Sequence, residues 1–147
     1  MEIKFFENYN EVDKLLSLFV DGYNIHKNGR PDKFLNRNID ELKPILDETL
    51  KKDGVIIATD GDKVTGYLMF NIQQRVKKAL WVDEVIVDKN YQHQGIGKKL
   101  IEKAENYAKE QKCDSIELCC WAFNTDAEKF YNNINYTVQR TIYEKKL

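Results

Sequence analysis

The sequence predicts a mixed α/β fold of the α+β class, with helices flanking a central, mostly antiparallel twisted sheet, and three observations carry that prediction. Apolar residues recur at helical spacing in two stretches, residues 12–23 and 96–108. Between them lies a block rich in β-branched and aromatic residues, 55–87, which Asp60-Gly61 and the polar run 75–78 cut into three strand-length pieces. The resulting order is β-α-α-β-β-β-α-β-α-β, which a sandwich of helices on one sheet accommodates.

Residues 3–6 read as a short strand. Val12, Leu15, Leu16, Phe19, Val20 and Tyr23 then share one helical face, with Asn10 as the expected N-cap. The polar stretch 26–38 breaks the periodicity around Arg30-Pro31. A second helix follows and buries Leu42, Ile45, Leu46 and Leu50, which places Pro44 near its first turn, where the missing N–H costs least. Residues 55–58 and 64–70 are antiparallel neighbours across the Asp60-Gly61 turn. Residues 79–87 complete a meander whose last member carries Asp83 and Glu84. After the loop 88–95, Ile96, Leu100, Ile101, Ala104, Tyr107 and Ala108 form one apolar stripe. Residues 115–121 read as a strand, 125–132 as a short helix and 136–143 as a closing strand whose exposed edge leaves pairing into a homodimer open.

Composition narrows the function. A length of 147 residues suits one domain spanning 1–147, able to bury roughly 70% of its unfolded surface. Hydrophobic residues make up 42% and aromatics 12% against 32% charged, enough to offset the entropy of ordering. The 23 Lys and Arg against 24 Asp and Glu give a net charge of −1 without a basic stripe, so no nucleic-acid partner is expected. No stretch approaches the roughly 20 apolar residues of a membrane span, and Met1-Glu2-Ile3-Lys4 lacks the order of a signal peptide, so no membrane partner is expected either. Cys113, Cys119 and Cys120 form no CxxC pair and no even framework, which reads as reduced thiols in the cytoplasm. His26 and His93 are far apart in the chain, so no multi-histidine metal site is expected.

The chemistry concentrates in Gln92-His93-Gln94-Gly95-Ile96-Gly97-Lys98, between a valine-rich strand and an amphipathic helix. A strand, a glycine loop and a helix start aim backbone N–H groups and the positive end of the helix at one spot, an anion site. Gly95 and Gly97 permit a close backbone approach; a glycine-rich turn without a ligand would use the same residues. A phosphate-binding P-loop fails, because Gln92 and Lys99 stand where Gly and Ser or Thr are needed. A dinucleotide fingerprint fails at Leu100, and the preceding meander is not a βαβ unit. The pattern that fits is Gln/Arg-x-x-Gly-x-Gly/Ala at Gln92, Gly95 and Gly97.

On these residues the segment 82–99 resembles the acetyl-CoA-binding signature of the GNAT superfamily of N-acetyltransferases. Downstream, Asn124-Thr125-Asp126-Ala127-Glu128-Lys129-Phe130-Tyr131 is similar to the family's Asn-x-x-Ala-x-x-Phe-Tyr, in the same order and spacing. Asn135-Tyr136 stands where the family continues Gly-Phe, and Asn tolerates the left-handed conformation there. The likeness covers residues 55–147 by motif and the first 54 by element order. The segment His26-x-x-x-Arg30-Pro31-Asp32-x-Phe34 is similar to one in largely uncharacterised bacterial acetyltransferases and equally reads as a structural turn.

The resemblance implies acetyl-CoA as co-substrate. Its pantetheine arm would lie against backbone near Ile86 and Val87, between strands that splay apart. Its pyrophosphate would rest on amides of Gln92, His93, Gln94, Gly95, Ile96, Gly97 and Lys98. Asn124 would contact the arm, and it reads as an N-cap as well. The reaction implied is direct attack of a primary amine of a small molecule or peptide on the thioester in a ternary complex. Tyr131 would be the general acid for the departing thiolate, although Phe130 and Tyr131 also read as core aromatics. Glu84 is the candidate base, with Asp83 expected on the opposite face by strand alternation; an exposed strand carboxylate would look the same. His93 reads as a solvated residue or a phosphate contact, and Cys119 and Cys120 as alternating residues of a buried strand. A non-catalytic acyl-CoA-binding or regulatory module of the same fold is the alternative reading.

Overall fold

The computed structural model describes Met1–Leu147. Its elements in order are β1 (Glu2–Phe5), α1 (Asp13–Gly29), α2 (Ile39–Leu50), β2 (Gly54–Asp60), β3 (Lys63–Gln74), β4 (Lys78–Val87), α3 (Ile96–Glu110), β5 (Ser115–Leu118) and α4 (Thr125–Asn133). The five strands lie in the order β1-β2-β3-β4-β5, every neighbour antiparallel except the parallel pair β4 and β5. The mixed α/β class and the mostly antiparallel sheet are thus as expected. No helix is long and apolar enough to cross a membrane.

Strand alternation distributes the core over both faces of the sheet. Val55 and Ile57 of β2 with Tyr67 and Met69 of β3 meet Leu15, Leu18 and Leu46 from α1 and α2. Ile56, Leu68 and Leu80 turn to the other face, against Ile96, Leu100 and Ile101 of α3. The apolar stripe of α3 is buried as the periodicity predicts, with Tyr107 half-buried at its edge. The hairpin between β2 and β3 turns at Gly61, whose φ of 58° suits a residue without a Cβ.

Several boundaries differ from the expectation. Asn10 does not cap α1; Asn8 caps a short 3₁₀ turn at Tyr9–Glu11 instead, and α1 follows directly from it with no side-chain cap. The N-terminus of α2 is closed by a reciprocal box between Asn38 and Glu41. Pro44 therefore falls in the second turn, beyond the first-turn position expected, and Ile45 is exposed.

The closing strand expected over 136–143 is not formed, and β5 ends at Leu118, short of residue 121. Asn135, with φ of 68°, turns the chain after α4 as the Asn-for-Gly exchange predicts. Beyond it the chain is held by side chains rather than by a ladder: the Tyr136 hydroxyl donates to Glu105 at 3.0 Å, Gln139 reaches Glu117, and Glu144 pairs with Arg30 at 2.8 Å. Val138 and Ile142 remain 77% and 81% exposed. The segment's apolar residues Val138 and Ile142 stand among polar ones and find no face to bury, so ladder formation has no burial to reinforce it.

Candidate active site

The site begins where one strand pair ends. β4 and β5 are in register from Ala79↔Ser115 to Val82↔Leu118, and there the ladder stops, although β4 continues to Val87. From Asp83 onward β4 is paired on one side only, by β3, with Tyr67↔Ile86 and Gly66↔Val87. At the same point its register against β3 slips, because Met69 faces Glu84 while Phe70 faces Val82, so Asp83 is an extra, bulged residue.

That bulge corrects the expected placement of the two carboxylates. Asp83 and Glu84 are not on opposite faces: Asp83 accepts from Asn71 and Glu84 from Tyr67, and both donors belong to the α1/α2 side of β3. An inserted residue cancels one step of the pleat, so two consecutive side chains project the same way. Both line a cleft at the fork, together with Leu118, Trp121, Asn124 and Tyr131.

Glu84 is held from below and behind. The hydroxyl of the fully buried Tyr67 donates to its Oε2 at 2.5 Å. Helix α1 passes so closely at Gly22 that a Cβ there would come within 2.1 Å of Oε1. Burial pushes the Glu84 carboxyl up to about 7, helped by the charge of Asp83 and opposed by the bond from Tyr67. Burial likewise drives the Tyr67 phenol well above its ordinary value. Behind them, Asn71 Nδ2 bridges Asp83 at 2.9 Å and Asp53 at 3.3 Å. Asp53 is itself pushed up to about 7, first by burial and then by its hydrogen bond to Asp83.

Across the fork, Tyr131 lies on α4 with its ring against Phe130 and Tyr136. Burial raises its phenol to about 12, and no hydrogen bond contributes to that shift. It is therefore a neutral O–H facing the cleft at physiological pH. Asn124 caps α4 by accepting from the Ala127 N–H at 3.3 Å and also lines the cleft, so its two expected roles share one position. Cys119 and Cys120 do not alternate in a buried strand as expected; the strand has already ended, and both are exposed along the cleft. Burial and the neighbouring Glu128 raise the Cys120 thiol. His26 reaches the cleft from α1.

The glycine loop leads from the far end of β4 into α3. Gln92 Nε2 donates to the Val87 carbonyl at 3.2 Å, tying the loop back to the strand. His93 and Gly95 take positive φ, 62° and 78°, and Gly95 is the N-cap of α3 with no side chain bonded to the helix start. The amides of Ile96, Gly97 and Lys98 thus open a helix without a side-chain cap. Gln92, His93, Gln94, Gly95 and Lys98 are exposed, whereas Ile96 is a core residue and offers only its backbone. A Cβ on Gly97 would stand 3.3 Å from the Phe130 ring, so this glycine serves the contact between α3 and α4. His93 lies in the loop and is not part of the cleft lining. The residues present fit a CoA thioester: an unpaired strand edge, an uncapped helix start after a left-handed turn, and a neutral phenol at the fork.

Tyr67 and Gly22 were not legible as site residues, since only the register of β3 on β4 and the packing of α1 bring them to Glu84. The spacing of Gly22 and His26, one helical turn, was the one signal available in the sequence.

A forked, mostly antiparallel sheet with a glycine loop feeding a helix start is the frame of the site, and comparison with known proteins shows the class of protein that carries it. Residues 14–136 match the acetyltransferase (GNAT) family, so the chain belongs to that family and is an acyltransferase. An uncharacterized N-acetyltransferase of Archaeoglobus fulgidus is 30% identical over 130 residues, covering 83% of this chain and 84% of that protein. An uncharacterized N-acetyltransferase in the pepI 3' region of Lactobacillus delbrueckii subsp. lactis is 28% identical over 108 residues; the match spans 63% of this chain and 62% of the relative. A tetramutant of BH1408 protein from Bacillus halodurans has the same fold, with a TM-score of 0.91, 22% identity and full coverage of both chains.

Proposed function

We propose that residues 1–147 act as a single cytoplasmic N-acetyltransferase domain that moves the acetyl group of acetyl-CoA to a primary amine of a small molecule or peptide, by direct attack in a ternary complex. The observation that carries this reading is the fork: the β4–β5 ladder stops at Val82↔Leu118, and Glu84 and Tyr131 line the cleft that opens there.

A CoA thioester supplies an activated carbonyl and a thiolate leaving group. The residues that would hold it are the backbone of Ile86 and Val87 on the free edge of β4 and the amides from Gln92 to Lys98. Tyr131 lines the cleft and keeps its proton at neutral pH, and it would give that proton to the departing sulfur. Glu84, pushed up to about 7, divides between its acid and base forms near neutrality, which suits a group that takes a proton from the acceptor nitrogen and releases it again. Asn124 fixes the start of α4 and with it the position of Tyr131.

The test is ligand-dependent melting combined with thiol release. Acetyl-CoA at about a hundredfold over its dissociation constant should stabilise the protein by roughly 2.7 kcal/mol, and a panel of primary amines should release free thiol. A larger shift with NAD or ATP than with acetyl-CoA would remove the assignment. Stabilisation by acetyl-CoA without thiol release to any amine would favour a binding module instead.

A further inference from the structure

His26 is the one nitrogen base in the cleft, and its hydrogen bond settles which ring atom is free. Nδ1 lies 2.9 Å from the carbonyl oxygen of Gly22, one turn earlier in α1. A carbonyl only accepts, so Nδ1 carries a proton, and in the neutral ring the lone pair is left on Nε2. The ring is kept in place by Phe34, 5.5 Å away between centroids, and by Phe123 at 6.3 Å in an edge contact. The peptide that holds His26 is also the one whose missing Cβ makes room for Glu84. Gly22 thus positions both groups, its carbonyl on the ring and its bare Cα on the carboxylate.

The nitrogen of the acceptor sheds two protons in the proposed reaction, at two different stages. An alkylammonium must lose one proton to become a nucleophile, and its nitrogen loses a second when the new C–N bond forms and the C–S bond breaks. Tyr131 gives a proton to the leaving sulfur and is reprotonated as Glu84 releases the one it took, and the other proton goes to solvent. Glu84, with Oε2 bonded to Tyr67 and Oε1 against α1, is the inner group. We propose that His26 Nε2 is a second catalytic base, which takes the first proton from the acceptor ammonium and passes it to solvent, leaving the proton shed during C–N bond formation to Glu84. The substrate class this selects is one that arrives as an alkylammonium. The inference rests on the reading under Proposed function. The charged and titratable groups that share the cleft with the ring are Asp83 and Glu84 from β4, Cys119 and Cys120 beyond β5, and Tyr131 from α4. Arg30, just past the end of α1, is turned to Trp121, Asp32 and Glu144.

The decisive variant is His26→Asn, because its side-chain NH₂ can still donate to the Gly22 carbonyl while the Nε2 lone pair is gone. Single-turnover transfer from acetyl-CoA to an alkylamine should fall by about 10²-fold at neutral pH. The loss should shrink as the pH is raised and the free amine becomes abundant in solution, and the acetyl-CoA melting shift should be unchanged. Nitrogen-resolved NMR of the parent should show that the neutral tautomer carries its proton on Nδ1. Transfer by His26→Asn at the parent rate, or a loss that does not vary with pH, would assign His26 a structural role and overturn the inference alone. A ring protonated on Nε2 would also overturn it. If the parent transfers acetyl to no amine, the reading under Proposed function falls and this one with it.

Discussion

The two halves of β4 differ in kind. From Ala79 to Val82 the strand is paired on both sides and, apart from the partly exposed Trp81, buried, with Leu80 fully inaccessible and Val82 only 3% exposed. From Asp83 to Val87 it is paired on one side only and carries a carboxyl pushed up to about 7. The first half follows the ordinary rules of a buried strand, in which every backbone group has a partner and apolar side chains fill both faces. The second half gives up a ladder and places a carboxylate against a tyrosine. Pairing on both sides lies on one side of a single residue, and the proposed chemistry on the other.

The largest expected effect tests the chemical half. Tyr131→Phe keeps the ring against Phe130 and Tyr136 and removes only the hydroxyl. Single-turnover transfer should fall by roughly 10²–10⁴ while acetyl-CoA affinity changes little; unchanged transfer would make Tyr131 a packing residue and leave the open half without an acid. Next in size, Leu80→Ala should cost about 2–5 kcal/mol in chemical denaturation, with the per-molecule rate of the folded fraction close to that of the parent. A selective loss of rate without a loss of stability would show that the two halves are not separable.

The smallest effect is a pH slope. Glu84 and Asp53 both have folded-state values raised to about 7, above the ordinary carboxyl range. Between that range and 7 the native state binds more protons than the unfolded chain. The stability they contribute is therefore fully present at acid pH below the ordinary carboxyl values and is lost as the pH rises through about 7. The melting temperature should decline across that window, and Glu84→Gln should flatten part of the decline, leaving the share due to Asp53. A slope identical in parent and variant would mean that Glu84 is solvated and that the open half carries no buried charge.

Much of the frame was readable because it depends on local pattern. The α3 stripe, the Asp60-Gly61 turn and the left-handed Asn135 each follow from a few neighbouring residues, and the loop from Gln92 to Lys98 follows from its glycines. What the sequence hides is long-range. The bulge at Asp83 has no residue signature, since Val-Asp-Glu-Val alternates or bulges equally well until β3 is laid beside it. The same holds for Tyr67 under Glu84, and for Gly97, whose bare Cα serves Phe130. Residues 136–143 have a strand's composition but gain no ladder, because their apolar side chains meet no complementary face.

The fork also limits how a site of this design can vary. Strands sit side by side at a fixed spacing of about 4.8 Å, and registers change by whole residues. The point at which the opening begins, after Val82↔Leu118, can therefore shift only by whole residues. A donor held as proposed would meet a slot whose closed end is fixed by that last pair. Any adjustment to a larger or differently charged acceptor has to come from the surrounding wall: the end of α1 with His26, the loop that carries Phe34, and the turn holding Trp121 and Phe123. Under the proposed function the closed end of the donor side moves only in steps of one residue, and diversification of substrate falls to loops and helix ends that the sheet does not constrain.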